Sequence, residues 1–394
     1  MKRILHINDY PVNTGGGAEV LMGQTVDLLR NDGFDARTFT SADLSDTKLT
    51  ARRYLNNHVA RASLAEKLHH FKPEVVHLHN YYHLLSPGIL IELAKYRRTR
   101  PLRVVMTAHD YHLVCPNSGG NWFSLASQRF RAADGMRLGS RGYLLSRRWD
   151  VRGWAYSSLK LAQHVWNYRW RSAQGVIERV ICPSRFLQTM LDPGRLPTCW
   201  LSYPAPPLRR NTEPRPGPLH LVFAGRVEPE KGLRRFLEIM PDSFAGIFTV
   251  IGDGSDLPAC KATATQRGLA GRVTFLGRRP HAETMERIAK AHVLVLPSVF
   301  LENQPLCLLE ALAAGTSVLT NDLGGMKEIV ATTGVGELFR PHHPQSLADA
   351  LTRIEALHRA GTLNAFDLSD FFAARSPRRY LDQLLAIYAT GRAA

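Results

Sequence analysis

Cysteine is scarce in this 394-residue sequence: Cys115, Cys182, Cys199, Cys260 and Cys307 are odd in number and widely spaced, with no C-x-x-C pair. That spacing excludes a disulfide framework or zinc finger and points to a reducing compartment. No run reaches the roughly 18 apolar residues that a membrane-spanning helix needs. The opening Met1-Lys2-Arg3 and the apolar Ile4 to Ile7 begin like a signal peptide. Asn8 and Asp9 end the stretch at once, so it reads as a first buried strand. Repeats and low-complexity segments are absent. Acidic residues are short, 34 Asp+Glu against 50 Lys+Arg, leaving a net charge of +16. The 44% hydrophobic and 21% charged fractions are those of a globular protein, excluding a disordered chain, a collagen or a coiled coil. At about 150 residues per domain, the length allows two to three domains.

The charge is unevenly placed. Residues 129–185 carry 12 basic and 3 acidic side chains, net +9, interleaved with Tyr143, Trp149, Trp154, Tyr156, Trp166, Tyr168 and Trp170. Arginine beside tryptophan suits a lipid headgroup layer, where indole tolerates the interface and guanidinium pairs with phosphate. The same composition also fits a solvated basic surface over a Trp-lined core. Nucleic acid is the least favoured partner.

Short apolar runs alternate with helix-like stretches nearly from end to end. Strands are expected at 3–7, 36–39, 74–78, 103–107 and 180–182, and in a second series at 219–224, 247–251, 273–276, 293–296, 317–320 and 337–339. Two such series imply two doubly wound α/β domains with ligand chemistry at the strand C-terminal ends. Between them, 204–218 holds six prolines in 15 residues and reads as a semi-rigid linker. The expected domains are 1–203, with an insertion at 108–155, and 219–374, followed by a helix within 375–394.

Several segments are suited to chemistry. Glu302-Asn303-Gln304-Pro305-Leu306 leads through Cys307 to Glu310 and Gly315. Pro305 suits a first helical turn, and the amides of Gln304 and Leu306 onward would make an anion site. Gly225-Arg226 and Lys231-Gly232 place two cations on a strand-to-helix loop, fit to clamp a pyrophosphate. Gly15, Gly16 and Gly17 join the first strand to the first helix and would let backbone N–H groups approach a ligand. The loop is neither a G-x-G-x-x-G fingerprint nor a P-loop, so dinucleotide and ATP-type binding lack support. His109-Asp110 ends a strand of the first domain. Gly252 and Gly277-Arg278 end two strands of the second and are expected to line a base pocket. Gly324-Gly325 forms another glycine-rich turn.

In this order, the segments resemble the retaining, nucleotide-sugar-dependent glycosyltransferases of family 4. The resemblance implies the GT-B fold, two Rossmann-like domains facing a central cleft, with the last helix crossing back to the first domain. It implies that Arg226 and Lys231 hold the donor diphosphate, that Glu302 and the backbone of 303–306 meet the sugar hydroxyls, and that Glu310 accepts from the ribose. Gly16 and its neighbours would approach the phosphate and acceptor side, and His109 the sugar near its reacting carbon. The sequence has no Asp-x-Asp, the metal handle of the other major glycosyltransferase architecture, so no metal or cofactor is expected.

The implied activity moves a sugar from a nucleotide diphosphate to a glycan or polyprenyl-diphosphate-linked acceptor in bacterial surface-polysaccharide assembly. The implied place is the cytoplasm, peripheral to the inner membrane face through residues 129–185. A soluble acceptor and a nucleotide-sugar epimerase are alternatives on the same fold. A non-catalytic scaffold or nucleic-acid binder is least favoured, because the motif positions hold the residue types the chemistry needs.

Overall fold

The computed structural model describes residues 2–14, 16–125, 129–132, 140–170, 173–192, 196–211, 213 and 215–390. They form two compact units, one of residues 1–203 and 377–394, the other of residues 204–376.

The first unit holds strands β1 (Arg3–Ile7), β2 (Asp35–Phe39), β3 (Val75–Leu78), β4 (Arg103–Thr107), β5 (Asn121–Ser124), β6 (Arg129–Ala132), β7 (Arg179–Cys182) and β8 (Thr198–Trp200). Six of them make a sheet in the order β2-β1-β3-β4-β7-β8, every neighbour parallel. Near-continuous burial, as in Val75–Leu78, is what a parallel strand covered on both faces requires. Strand order reverses between β1 and β3, so their C-terminal ends border the crevice where such sheets bind ligands. The helix Pro377–Thr390 belongs to this unit: Tyr380, Leu381, Leu384, Ile387 and Tyr388 share a core with Ile4, Val26, Val105 and Ile181. Their three- and four-residue spacing lines one helical face. Strand β8, too short to announce itself in sequence, closes the sheet edge.

The insertion is longer than 108–155. It runs from the end of β4 to β7 and comprises the β5–β6 hairpin, helix α2 (Arg141–Leu145), helix α3 (Trp154–His164) and the turn Val165–Trp170. Gln163 of α3 anchors it by donating to the carbonyls of Tyr54 (2.6 Å) and Tyr82 (2.8 Å). Trp149 lies in the core at 0% exposure, its indole N–H donating to Leu144 O at 2.8 Å, so it is a packing residue and not a headgroup one. Trp154 (51%) and Trp166 (38%) are exposed. The side chain of Trp170 lies outside the described residues.

The second unit holds β9 (His220–Ala224), β10 (Ile247–Ile251), β11 (Val273–Gly277), β12 (Val293–Leu296), β13 (Ser317–Asn321) and β14 (Glu337–Phe339). Their order is β11-β10-β9-β12-β13-β14, all parallel, the doubly wound order with its reversal between β9 and β12. Helices α4 (Leu233–Ile239), α5 (His281–Lys290), α6 (Leu306–Ala313) and α7 (Gly324–Thr333) cross between strands.

The proline-rich stretch 204–218 differs from the spacer expected of it, because it packs onto this second unit. Arg209 N and Asn211 N donate to Ala313 O and Ala314 O, both at 3.0 Å. The Arg215 guanidinium donates to Ala289 O at 2.9 Å and Gly315 O at 2.8 Å. The carbonyls of Ala289, Ala313 and Ala314 are acceptors left open at the C-terminal ends of α5 and α6, and Gly315 follows the cap of α6, so the strap finds its partners where helices leave acceptors open. Among the described residues, no helix is long and apolar enough to cross a membrane.

Candidate functional site

In the second unit, the sequence-singled residues gather at the strand ends on either side of the β9–β12 reversal. β9 delivers Gly225 and Arg226; Arg226 is exposed and carries no ion pair among the described residues. A short 3-10 turn, Pro229–Lys231, follows and ends at Gly232, whose φ of 71° only glycine adopts without strain. A Cβ at Gly232 would stand 2.1 Å from Pro297 O, so this glycine lets the loop after β9 close onto the loop after β12. Ser298 completes the join by donating from Oγ to Glu230 O at 3.2 Å.

That approach brings Lys231 Nζ to 2.6 Å from Glu302 Oε1, with only 21% and 13% of the two side chains exposed. The 302–304 loop is held in turn by α7. Gly325 N donates to Glu302 O at 2.8 Å, and a Cβ there would sit 1.5 Å from Asn303 O. Asn303 is buried and Gln304 half-buried. Helix α6 begins at Leu306, with Pro305 as its N-cap, one residue later than the first-turn position expected. The Cys307 thiol is pushed up to about 12, first by burial and then by Glu310, while Lys231 and Glu302 also act on it. Burial raises the Glu310 carboxyl above its ordinary range, opposed by His281, whose Nε2 stands 3.7 Å away. Gly252 and Gly277 end the neighbouring strands β10 and β11, joined by Gly252 N donating to Gly277 O at 3.0 Å, and Arg278 is exposed beyond them.

Sequence reasoning passed over three supports. Asn321 donates through Nδ2 to Pro297 O (2.8 Å) and Ser298 O (2.9 Å), fixing the loop after β12. Glu228 accepts from Ser255 Oγ and Ser255 N, fixing the loop after β9. His281 faces Glu310. Glu228 sits between Arg226 and Lys231 and Asn321 just ahead of Gly324-Gly325, while His281 lies outside the motifs, and all three roles come from the fold.

In the first unit, Gly15 lies outside the described residues, Gly16 is the N-cap of helix α1 (Gly17–Asn31), and Gly17 opens it. A Cβ at Gly16 would meet Glu19 Oε2 at 2.0 Å, and Asn8 Nδ2 donates to Glu19 Oε1 at 3.0 Å. The positive end of α1 is thus already met by a carboxylate, which disfavours a second anion there. His109, half-buried at the end of β4, has both ring nitrogens engaged: Nδ1 with Tyr203 Oη and Nε2 with His79 Nδ1, each at 2.8 Å. Burial pulls its pKa down to about 3, so the ring is uncharged at neutral pH. Asp110 accepts from Tyr82 Oη and His112 N, and burial raises it to about 6.

Residues 206–361 match the family model described as glycosyl transferases group 1. A glycogen synthase of Mycobacterium tuberculosis (strain ATCC 25618 / H37Rv) is 31% identical over 145 residues, covering 36% of this chain and 35% of that protein. The chain thus spans about a third of the length of the curated relatives it matches. Among solved structures, a sucrose-phosphate synthase from Thermosynechococcus elongatus superposes with a TM-score of 0.72 at 17% identity, covering 99% of this chain and 98% of that one. Anabaena HepE in complex with UDP gives 0.65 at 16%, covering 99% and 100%. The chain has the α/β fold of GT-B glycosyltransferases, two Rossmann-like domains, and its residues 206–361 are similar in sequence to the group 1 glycosyl transferases.

Proposed function

We propose that this chain is a retaining glycosyltransferase that takes a sugar from a nucleotide diphosphate held by the second unit. The observation that carries the reading is the Lys231–Glu302 pair, 2.6 Å apart beside the β9–β12 reversal. Breaking a sugar–phosphate bond builds negative charge on the departing phosphate and positive charge on the sugar. Fixed cations and a helix N-terminus stabilise the former in proportion to how little they must reorganise. Lys231, Arg226 and the amino end of α6 are the groups suited to that task. A bound diphosphate competes with Glu302 for Lys231 and so frees the Glu302 carboxylate to accept from sugar hydroxyls. Glu310 is assigned to the ribose, and the turns at Gly252 and Gly277-Arg278 to the base. These cations offset the phosphate charge that a divalent ion would otherwise neutralise, so transfer is expected to survive EDTA.

The first unit is assigned the acceptor, a glycan or polyprenyl-diphosphate-linked glycan. With both nitrogens occupied, His109 is assigned to orient the sugar and not to shuttle a proton. The exposed Trp154, Tyr156 and Trp166, with Leu145 at 68% exposure, support docking on an anionic membrane. Arg152 lies over Tyr156 at 4.0 Å but is also bound bidentately by Asp150, so part of its charge is spent internally.

A thermal-shift panel of UDP, GDP and ADP tests the donor assignment. A ligand at about 100 times its Kd adds roughly 2.7 kcal/mol to the folded state, and Lys231→Ala should erase that gain. Absence of stabilisation by every nucleoside diphosphate would sink the reading. Retention is checked from the anomeric proton coupling of the product.

A further inference from the structure

Three imidazoles stand in line at the strand-order reversal of the first sheet. His6 of β1, His79 just beyond β3 and His109 just beyond β4 are joined by His6 Nδ1 to His79 Nε2 at 3.1 Å and His79 Nδ1 to His109 Nε2 at 2.8 Å. The line continues from His109 Nδ1 to Tyr203 Oη. Its other end, His6 Nε2, is buried without a hydrogen-bond partner. His77 lies alongside, its ring centre 4.5 Å from that of His79, but its nitrogens are taken by Tyr388 Oη at 2.6 Å and Thr107 Oγ1 at 2.8 Å.

Ring nitrogens of His6, His77 and His79 come within 4.8 Å of one another, which suggests a metal. The hydrogen bonds argue otherwise: His77 and His79 have committed both nitrogens, leaving His6 Nε2 as the one uncommitted nitrogen of the three. Burial keeps all of these rings neutral. A neutral imidazole carries one N–H and one bare nitrogen. Across each nitrogen–nitrogen contact, one side must hold the proton and the other must not. The tautomers are therefore locked together, leaving two arrangements. If all three rings are Nε2–H, the line ends in a buried N–H at His6 with no acceptor. If all three are Nδ1–H, it ends in a bare nitrogen there. An orphaned buried donor is the rarer and costlier defect. The positive charge of Arg30, which acts on His6, also favours the bare nitrogen.

We propose that His6 and His79 are positioning residues, whose shared hydrogen-bond line fixes His109 as the Nδ1–H tautomer donating to Tyr203 and holds its ring plane for the sugar donor. The second half of this statement rests on the assignment of His109 to the donor sugar; the tautomer line does not.

Long-range proton–nitrogen correlation spectra of the full chain, with ¹⁵N-labelled histidine at pH 7, read each tautomer directly. His6→Asn and His109→Gln provide the assignments. Three Nδ1–H rings are expected; an Nε2–H or doubly protonated ring among the three overturns the proposal. The functional arm uses hydrolysis of nucleotide sugars of whichever nucleoside diphosphate stabilises the chain in the thermal-shift panel. His79→Asn keeps an amide where Nδ1 faced His109, whereas His79→Gln keeps one only toward His6. His79→Gln should lower kcat about tenfold with KM unchanged, and His79→Asn should stay within about twofold of wild type. Equal losses in both would overturn the positioning role. If no nucleoside diphosphate stabilises the wild type and it hydrolyses no nucleotide sugar, the donor reading fails, and the spectra alone decide the tautomer line.

Discussion

At the scale of single residues, Lys231 and Glu302 stabilise each other as much as they await a substrate. Removing one leaves the other mostly enclosed and unpaired, which costs more than an exposed ion pair is worth. Glu302→Ala should therefore lower unfolding stability by about 1–2 kcal/mol in urea as well as abolish transfer. The double exchange Lys231→Glu with Glu302→Lys should recover most of that stability and none of the activity. Recovery of transfer would refute the charge assignment. Both residues were legible in sequence, because Gly-Arg…Lys-Gly and Glu-x7-Glu each sit where a strand gives way to a helix. Their pairing was not legible. They are 71 positions apart, and their approach depends on Gly232 tolerating a backbone that no side chain could share. At Gly16, likewise, sequence shows the open glycine but not the Glu19 carboxylate folded over it.

At the scale of elements, the basic aromatic insertion divides into packing and surface. Trp149→Ala should destabilise the protein by about 3–5 kcal/mol, as deletion of a buried indole does. Trp154→Ala combined with Trp166→Ala should change stability by less than about 1 kcal/mol while weakening sedimentation with anionic vesicles. Vesicle binding unchanged by that pair would favour a soluble acceptor. Composition alone could not make this division, because the same Arg–Trp alternation serves a core and a surface. The proline-rich strap shows a similar limit. Its prolines announce that it is neither helix nor strand, but not that Arg215 caps the helices beside it. Arg215→Ala should cost about 2–3 kcal/mol in thermal unfolding. Arg215→Lys should rescue little, since one ammonium cannot span carbonyls that a planar fork reaches together.

At the scale of the whole molecule, buried histidines govern the response to acid. His6 and His109 are pulled down to about 3 by burial, and His77, His79 and His112 are also lowered by burial. An unfolded chain protonates its histidines near pH 6.5. Below that pH the unfolded state binds more protons, so stability falls as pH falls, by about 1.4 kcal/mol per pH unit for each ring that stays neutral in the folded state. Asp110, raised to about 6, acts in the opposite sense between pH 6 and about 4, where the folded state holds the extra proton, and Asp9, Asp256 and Glu310, also raised by burial, act in the same direction as Asp110. The five rings outnumber these four carboxyls, whose unfolded values of about 4 put most of their effect at lower pH. The melting temperature should drop steeply from pH 7 to pH 5, and a flat profile would contradict the buried array. The two-unit fold itself was legible, since two series of apolar strands around a proline cluster admit few other arrangements. The histidine array was not, because alternate residues of a strand look alike until the sheet orders them.

The helix Pro377–Thr390 carries a consequence for biogenesis. The first unit's core is completed by Tyr380 through Tyr388, which leave the ribosome only after the whole second unit has been made. At roughly 5–20 residues per second, that delay is on the order of ten seconds or more. Throughout it, the nascent first unit displays an apolar groove across Ile4, Val26 and Ile181, while the second unit is free to fold as an uninterrupted stretch. The first unit, made before the second, is thus completed only after it.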